Sequence, residues 1–119
     1  MSTNARIGIL NEDSTITSIY THWDGYPSHT LPILANNYNT EEEVRALIAL
    51  GDLSSLGPEL GAKHEFGSAG NPDWCVSYGR DRGETNVGAI THNADEWPDY
   101  GQQFIYVFNP ATEEWTVGP

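Results

Sequence analysis

Residues 18–29 read SIYTHWDGYPSH, and the fold turns on where that strand-like run stops. Ser18 to Trp23 is rich in β-branched and aromatic residues, and Asp24-Gly25-Tyr26-Pro27 is a turn signature. Upstream, ARIGIL (5–10) is short and β-prone, and NEDST (11–15) is a polar turn cluster. Residues 5–23 therefore read as a β-hairpin. On its second strand Ile16, Ser18, Tyr20 and His22 share one face, and Thr17, Ile19, Thr21 and Trp23 share the other. Neither face is wholly polar, so both should be at least partly covered.

Downstream the period changes. Leu31, Leu34, Ala35 and Tyr38 recur at helical spacing, with Pro32 near the helix start, where a missing N–H costs little. A second helix should begin at Thr40. Thr40 and Glu43 form a capping box, Glu41 to Glu43 set negative charge at the positive end of the dipole, and Val44, Leu47 and Ile48 make the apolar stripe. Gly51 is a C-terminal stop. Residues 51–73 hold five of the twelve glycines and read as a loop pinned by Leu53, Leu56 and Leu60. WCVSYGR (74–80) reads as a strand. Residues 81–102 read as irregular, with one helical turn at Asn93 to Trp97. A second hairpin follows: Phe104 to Phe108, a turn at Asn109 to Thr112, and Trp115 to Val117. The order β-β-α-α-β-β-β predicts an α+β domain over residues 1–119, with an antiparallel sheet of about five strands and a helical hairpin packed on one face.

Charge bounds the function. Seventeen acidic groups face five basic ones in 119 residues, a net of −12. Such a surface repels nucleic acid and anionic membrane, because binding DNA needs Lys and Arg to replace counterions. It attracts basic proteins and divalent cations. Acidic groups can also imitate phosphates and occupy a nucleic-acid channel on another protein; equally, they can simply keep a protein in solution. The single cysteine, Cys75, excludes an internal disulfide framework. No run of ~18 apolar residues offers a membrane span, and no signal peptide is expected from the first residues. A cytoplasmic location is expected.

Several stretches carry a resemblance. SIYTHWDGYP, EEVRALIALGDLSSLG, VSYGRDRGE and the terminal aromatic strand resemble a family of small acidic proteins encoded by phages and prophages. The resemblance covers most of residues 5–117 and brings no assigned chemistry. It implies an accessory phage protein acting on host machinery, in the host cytoplasm. The family pattern has a Cys where Thr21 stands here, so a thiol role at that position does not apply.

Three constellations could carry chemistry. His22, Asp24 and His29, with Asp13 or His64, could make a metal site; a structural corner, with Asp24 turning the chain, Tyr26-Pro27 against the sheet and His22 bonded internally, explains the same residues. Arg80 and Arg82 in GRDRGE could grip a phosphate, or pair with Asp24, Asp81 or Glu84. Cys75, between Trp74 and Val76, reads as core filling rather than as a nucleophile. No G-x-S-x-G elbow, phosphate loop or HExxH helix is present. The leading expectation is a non-enzymatic inhibitor of a host defence system. Its acidic surface would engage a basic nucleic-acid-handling protein, such as a CRISPR–Cas effector or a restriction component, with no cofactor and no direct contact with nucleic acid. Its binding residues would be Glu12, Asp13, Trp23, Asp24, Tyr26, Glu41, Glu42, Arg80, Arg82, Asp95, Glu96 and Asp99. One alternative is a nucleotide sponge that stacks a base on Trp23, Tyr26 or Tyr78 and holds phosphate with Arg80 and Arg82. Another is a metal-dependent enzyme. Exposed edge strands could also pair into a homodimer.

Overall fold

The structure, a computed structural model, describes residues 3–62, 73–97 and 102–118. The elements run β1 (Ala5–Leu10), β2 (Thr15–Thr21), α1 (Pro27–Asn37), α2 (Glu41–Ile48), β3 (Leu53–Ser55), β4 (Val76–Ser77), α3 (Tyr78–Arg82), β5 (Ile90–Asn93), β6 (Phe104–Asn109) and β7 (Glu114–Gly118). This is an α+β fold built on one seven-stranded sheet of order β4-β3-β2-β1-β6-β7, with β5 also paired to β2.

The sheet is mixed, which corrects the antiparallel expectation. The two hairpins, β1–β2 and β6–β7, are antiparallel as read from the sequence. However, β1 runs parallel to β6, and β2 parallel to β3. The second case has a plain cause. The chain leaves β2, passes through both helices and re-enters the sheet, and such a helical crossover returns a strand in the same direction.

Three further differences are local. β3, only Leu53–Ser55, lies in the stretch read as loop; three residues are too few to show a period. The expected strand 74–80 is extended only at Val76–Ser77. Ser77 then caps a short helix, its Oγ accepting from the Arg80 N–H at 3.2 Å, and Gly83 ends that helix in the left-handed conformation. β5 occupies the segment read as irregular, and the helical turn expected at Asn93 to Trp97 is instead the end of β5 and a tight turn, with the Glu96 N–H on the Asn93 carbonyl at 3.1 Å.

Alternation along β1 sorts the sheet into two faces. Ala5, Ile7 and Ile9 point to the helices, in register with Thr21, Ile19 and Thr17 of β2 and Phe104, Tyr106 and Phe108 of β6. Leu34 of α1, Tyr38 just after its end, and Val44, Leu47 and Ile48 of α2 close over them, all buried. Each such side chain is worth about 1.5–3 kcal/mol when removed from water. The capping box at α2 forms: the Glu43 N–H reaches Thr40 Oγ1 at 3.2 Å, and Glu43 Oε1 accepts from the Asn39 N–H at 3.3 Å. On the opposite face, Arg6 is 1% exposed, with Nε on Ser18 Oγ and Nη2 on the Ser18 carbonyl, both at 3.0 Å. Both faces of β2 are thus covered, as its sequence required. Among the described residues no helix is long and apolar enough to cross a membrane.

The outer edge of β2 is shared. β5 pairs with Thr15 to Ser18, and β3 meets Thr21. Between them the Tyr20 N–H faces a gap in the ladder, and Asp52 Oδ1 fills it at 2.9 Å. Asp52 also donates its N–H to the Val87 carbonyl and accepts from the Tyr78 N–H. Burial raises the Asp52 carboxyl above its ordinary value, against the Tyr20 N–H and Arg6, which lower it.

Candidate functional site

The topology gathers acidic turns at one end of the sheet. Because β1 and β6 are parallel, their hairpin turns lie side by side. A groove of about 420 Å³ between them is lined by Leu10, Asn11, Glu12, Ser14, Asn109, Pro110 and Ala111. Glu12 and Asp13 sit on the first turn, and Glu113 and Glu114 follow the second. β5 runs antiparallel to β2 and pairs Asn93 with Thr15, so it delivers Asp95 and Glu96 to the same end. All six of these carboxylates are exposed.

Local chemistry holds the first turn rigid. Asp13 Oδ1 accepts from the Thr15 N–H at 3.1 Å and the Thr15 hydroxyl at 2.6 Å, and these bonds hold the Asp13 carboxyl below its usual range. The start of α2 is tied in by Arg45, which pairs with Glu41 at 2.8 Å and donates to Asn11 Oδ1 at 3.3 Å. Glu42 is exposed one residue on. Asp99, expected in this group, lies outside the described residues, as does His64.

Trp23, Asp24 and Tyr26 stand at the other end of β2. Trp23 and Tyr26 are 46% and 39% exposed. Tyr26 therefore points outward rather than packing on the sheet. The backbone beneath is pinned: the Gly25 N–H donates to the Thr3 carbonyl at 2.8 Å, and the Tyr106 hydroxyl to the Gly25 carbonyl at 2.6 Å. Burial pushes that phenol up to about 12. The Thr30 hydroxyl donates to the Asp24 carbonyl at 2.8 Å. His22 is bonded internally, its Nδ1 2.9 Å from the Tyr20 hydroxyl, and its ring meets Trp23 edge-on at 4.7 Å. Nine of the twelve expected binding residues thus divide between two separated places, six on the acidic end and its helix and three on this corner, while Arg80 and Arg82 lie on α3.

The arginines form neither a phosphate fork nor a pair with Asp24. Arg80 is clamped inside: Nε and Nη2 hold Asp81 at 2.9 and 3.1 Å, Nη1 the Leu60 carbonyl at 2.7 Å, and Nη2 the Cys75 carbonyl at 2.9 Å. Asp81, whose side chain is fully buried, accepts also from the Ser77 N–H at 2.8 Å. Arg82 pairs with Glu84 at 3.0 Å and lies over the Tyr78 ring. Asp81 and Glu84 were the alternative partners read from the sequence. The pair with Asp24 does not form: Asp24 is exposed on its own turn, and Arg80 and Arg82 hold Asp81 and Glu84.

Cys75 is fully buried. Its Sγ accepts from the Gly57 N–H at 3.3 Å, and burial raises the thiol above its ordinary value. That is core filling. One contact has no signal in the sequence: Ser18 Oγ lies 2.9 Å from His92 Nε2, while His92 Nδ1 is 2.9 Å from the Asn93 carbonyl and its ring lies 4.6 Å from that of Trp97. Serine beside imidazole is the chemistry of a nucleophile and its base. Here Ser18 is completely buried and takes a bond from Arg6, so the contact braces β5 against β2. Its members are distant in sequence, and no local motif announces it. Among the described residues no group of three or more His, Cys, Asp or Glu is placed to hold a metal ion.

Neither a protein-family model, a curated protein nor a solved structure matches the chain.

Proposed function

We propose that this protein is a non-enzymatic, phage-encoded inhibitor of a host defence system, which binds a basic nucleic-acid-handling protein through its acidic end. The observation that carries the reading is the convergence of Glu12, Asp13, Asp95, Glu96, Glu113 and Glu114, from three separate chain segments, at one end of the sheet. Six exposed carboxylates on short turns concentrate negative charge at one end, as a phosphate backbone does along its length. Arg45 is engaged by Glu41 and Asn11, so it offsets little of that charge. A nucleotide sponge is supported less well, because Arg80 already spends its donors on Asp81 and two carbonyls.

Electrostatic capture of this kind is fast and weakens with salt. The test is capture from bacterial lysate expressing a CRISPR–Cas effector, at low and at roughly 0.5 M salt, where charge interactions beyond a few ångströms are screened. The effector should be retained at low salt and released at high salt. A variant with Glu12, Asp13, Asp95 and Glu96 changed to Gln should lose it. Retention indifferent to both changes would sink the mimicry mechanism.

A further inference from the structure

A second concavity lies between the end of α1, the first turns of α2 and the loop after β3. It measures about 280 Å³ and is lined by Asn37, Tyr38, Glu42, Glu43, Ala46, Pro58 and Leu60. Small-molecule sites run from about 300 to 1,000 Å³, so this groove suits one long side chain better than a nucleotide. Its floor is apolar: the buried Tyr38, the half-buried Pro58 and Leu60, and Ala46.

Most of the polar atoms left free around it are acceptors. Glu42 is exposed and its carboxylate takes no bond from the described residues. Glu43 spends Oε1 on the Asn39 N–H and the Thr40 hydroxyl, which leaves Oε2. Asn37 donates Nδ2 to the Ile33 carbonyl at 3.0 Å, which leaves Oδ1 as an acceptor. The Tyr38 hydroxyl is turned inward, to the Gly57 carbonyl at 2.7 Å. Burial first, then Cys75 and then the carboxylates of Glu59 and Glu43 push that phenol well above its ordinary value, so the floor also feels negative charge.

We infer that this groove takes an arginine side chain projecting from the basic partner protein. The inference rests on the reading above and adds to it a defined anchor. The guanidinium would place its forked donors on Glu42, Glu43 and Asn37, and its methylene stem over Pro58 and Leu60. Lysine would offer the same charge as a compact point, without the fork that three separated acceptors call for.

The test is an amide NMR titration of the full chain with a capped Gly-Gly-Arg-Gly-Gly peptide, its citrulline counterpart and spermidine. Saturable shifts at Glu42, Glu43, Ala46 and Leu60 with the arginine peptide, and none with citrulline, are expected. Ala46→Trp, at an exposed helical position where the fold should tolerate it, should fill the groove and abolish those shifts. Glu42→Gln should weaken them about tenfold, the loss of one charge-assisted hydrogen bond. Shifts confined to the turns at 12–14 and 94–96 would overturn the groove while leaving the acidic end intact. Spermidine shifting the groove amides as strongly as the arginine peptide would overturn the protein side chain as occupant. Groove shifts that Ala46→Trp removes, in a protein that captures no effector from lysate, would uphold the arginine site and count only against the inhibitory reading.

Discussion

Asp24 and Gly25 divide the work of one turn in a way their types do not announce. The left-handed residue is Asp24, at φ 56°, while Gly25 is there for space. A β-carbon on Gly25 would lie 2.7 Å from the Thr3 carbonyl oxygen and 2.8 Å from the β-carbon of Ala5. Backbone stands on one side and a core residue on the other, so neither can yield cheaply. Gly25→Ala should therefore destabilise by roughly 1–3 kcal/mol, the usual cost of overpacking, read as a lower urea midpoint with unchanged slope. Thr21 offers the opposite case. It is 1% exposed, and its hydroxyl has no hydrogen-bond partner among the described residues. A buried hydroxyl left so costs about 1–3 kcal/mol, so Thr21→Val should raise stability, by about 1 kcal/mol in the same measurement. A loss of stability would show that the hydroxyl is satisfied after all.

At the level of elements, Asp52 joins pieces that the sheet leaves apart. It sits where β3 and β5 fail to meet along β2, and it takes the Tyr20 N–H that neither can reach. Its carboxyl is raised by burial. Relative to the unfolded chain, the folded state thus favours the protonated acid. That preference stabilises the fold fully below the unfolded value, near pH 4, and is lost as pH rises through the raised folded one. Asp52→Asn keeps an oxygen for Tyr20 and removes the titration. The stability of the variant relative to the parent should therefore grow between pH 4 and pH 7, by chemical denaturation; a difference that shrinks over that range would contradict the burial argument. The elements that the sequence declared were those with local causes. The capping box, the hairpin turns and the Gly51 stop all act within a few residues. β3 and β5 are short, and their partners lie far along the chain. The pairing of Ile7 with Tyr106 spans nearly the whole of it. The acidic runs could be read one by one, but their meeting at one end depends on those long-range pairs.

For the whole molecule, a net charge of −12 with six exposed carboxylates at one end implies self-repulsion. Arg6 is buried in structural bonds, Arg80 is partly buried and held by Asp81, and Arg82 is paired to Glu84, so the described cations do little to relieve it. Salt screens such repulsion over about 10 Å at 0.1 M. Raising NaCl from roughly 10 mM to 0.5 M should therefore raise Tm by calorimetry, the reverse of its expected effect on partner binding. A Tm that falls over the same range would mean that attractive pairs dominate.

The central strand has a consequence for how the chain comes to be folded. β1 is made before β2 and well before β6, yet it lies between them. Throughout synthesis on the ribosome one edge of an apolar strand, Ala5 to Leu10, waits for a partner not yet made. Closure of the sheet is therefore a late and slow event, in keeping with the cost of bringing distant segments together. Until then the nascent chain carries an open edge to which another copy could add a strand.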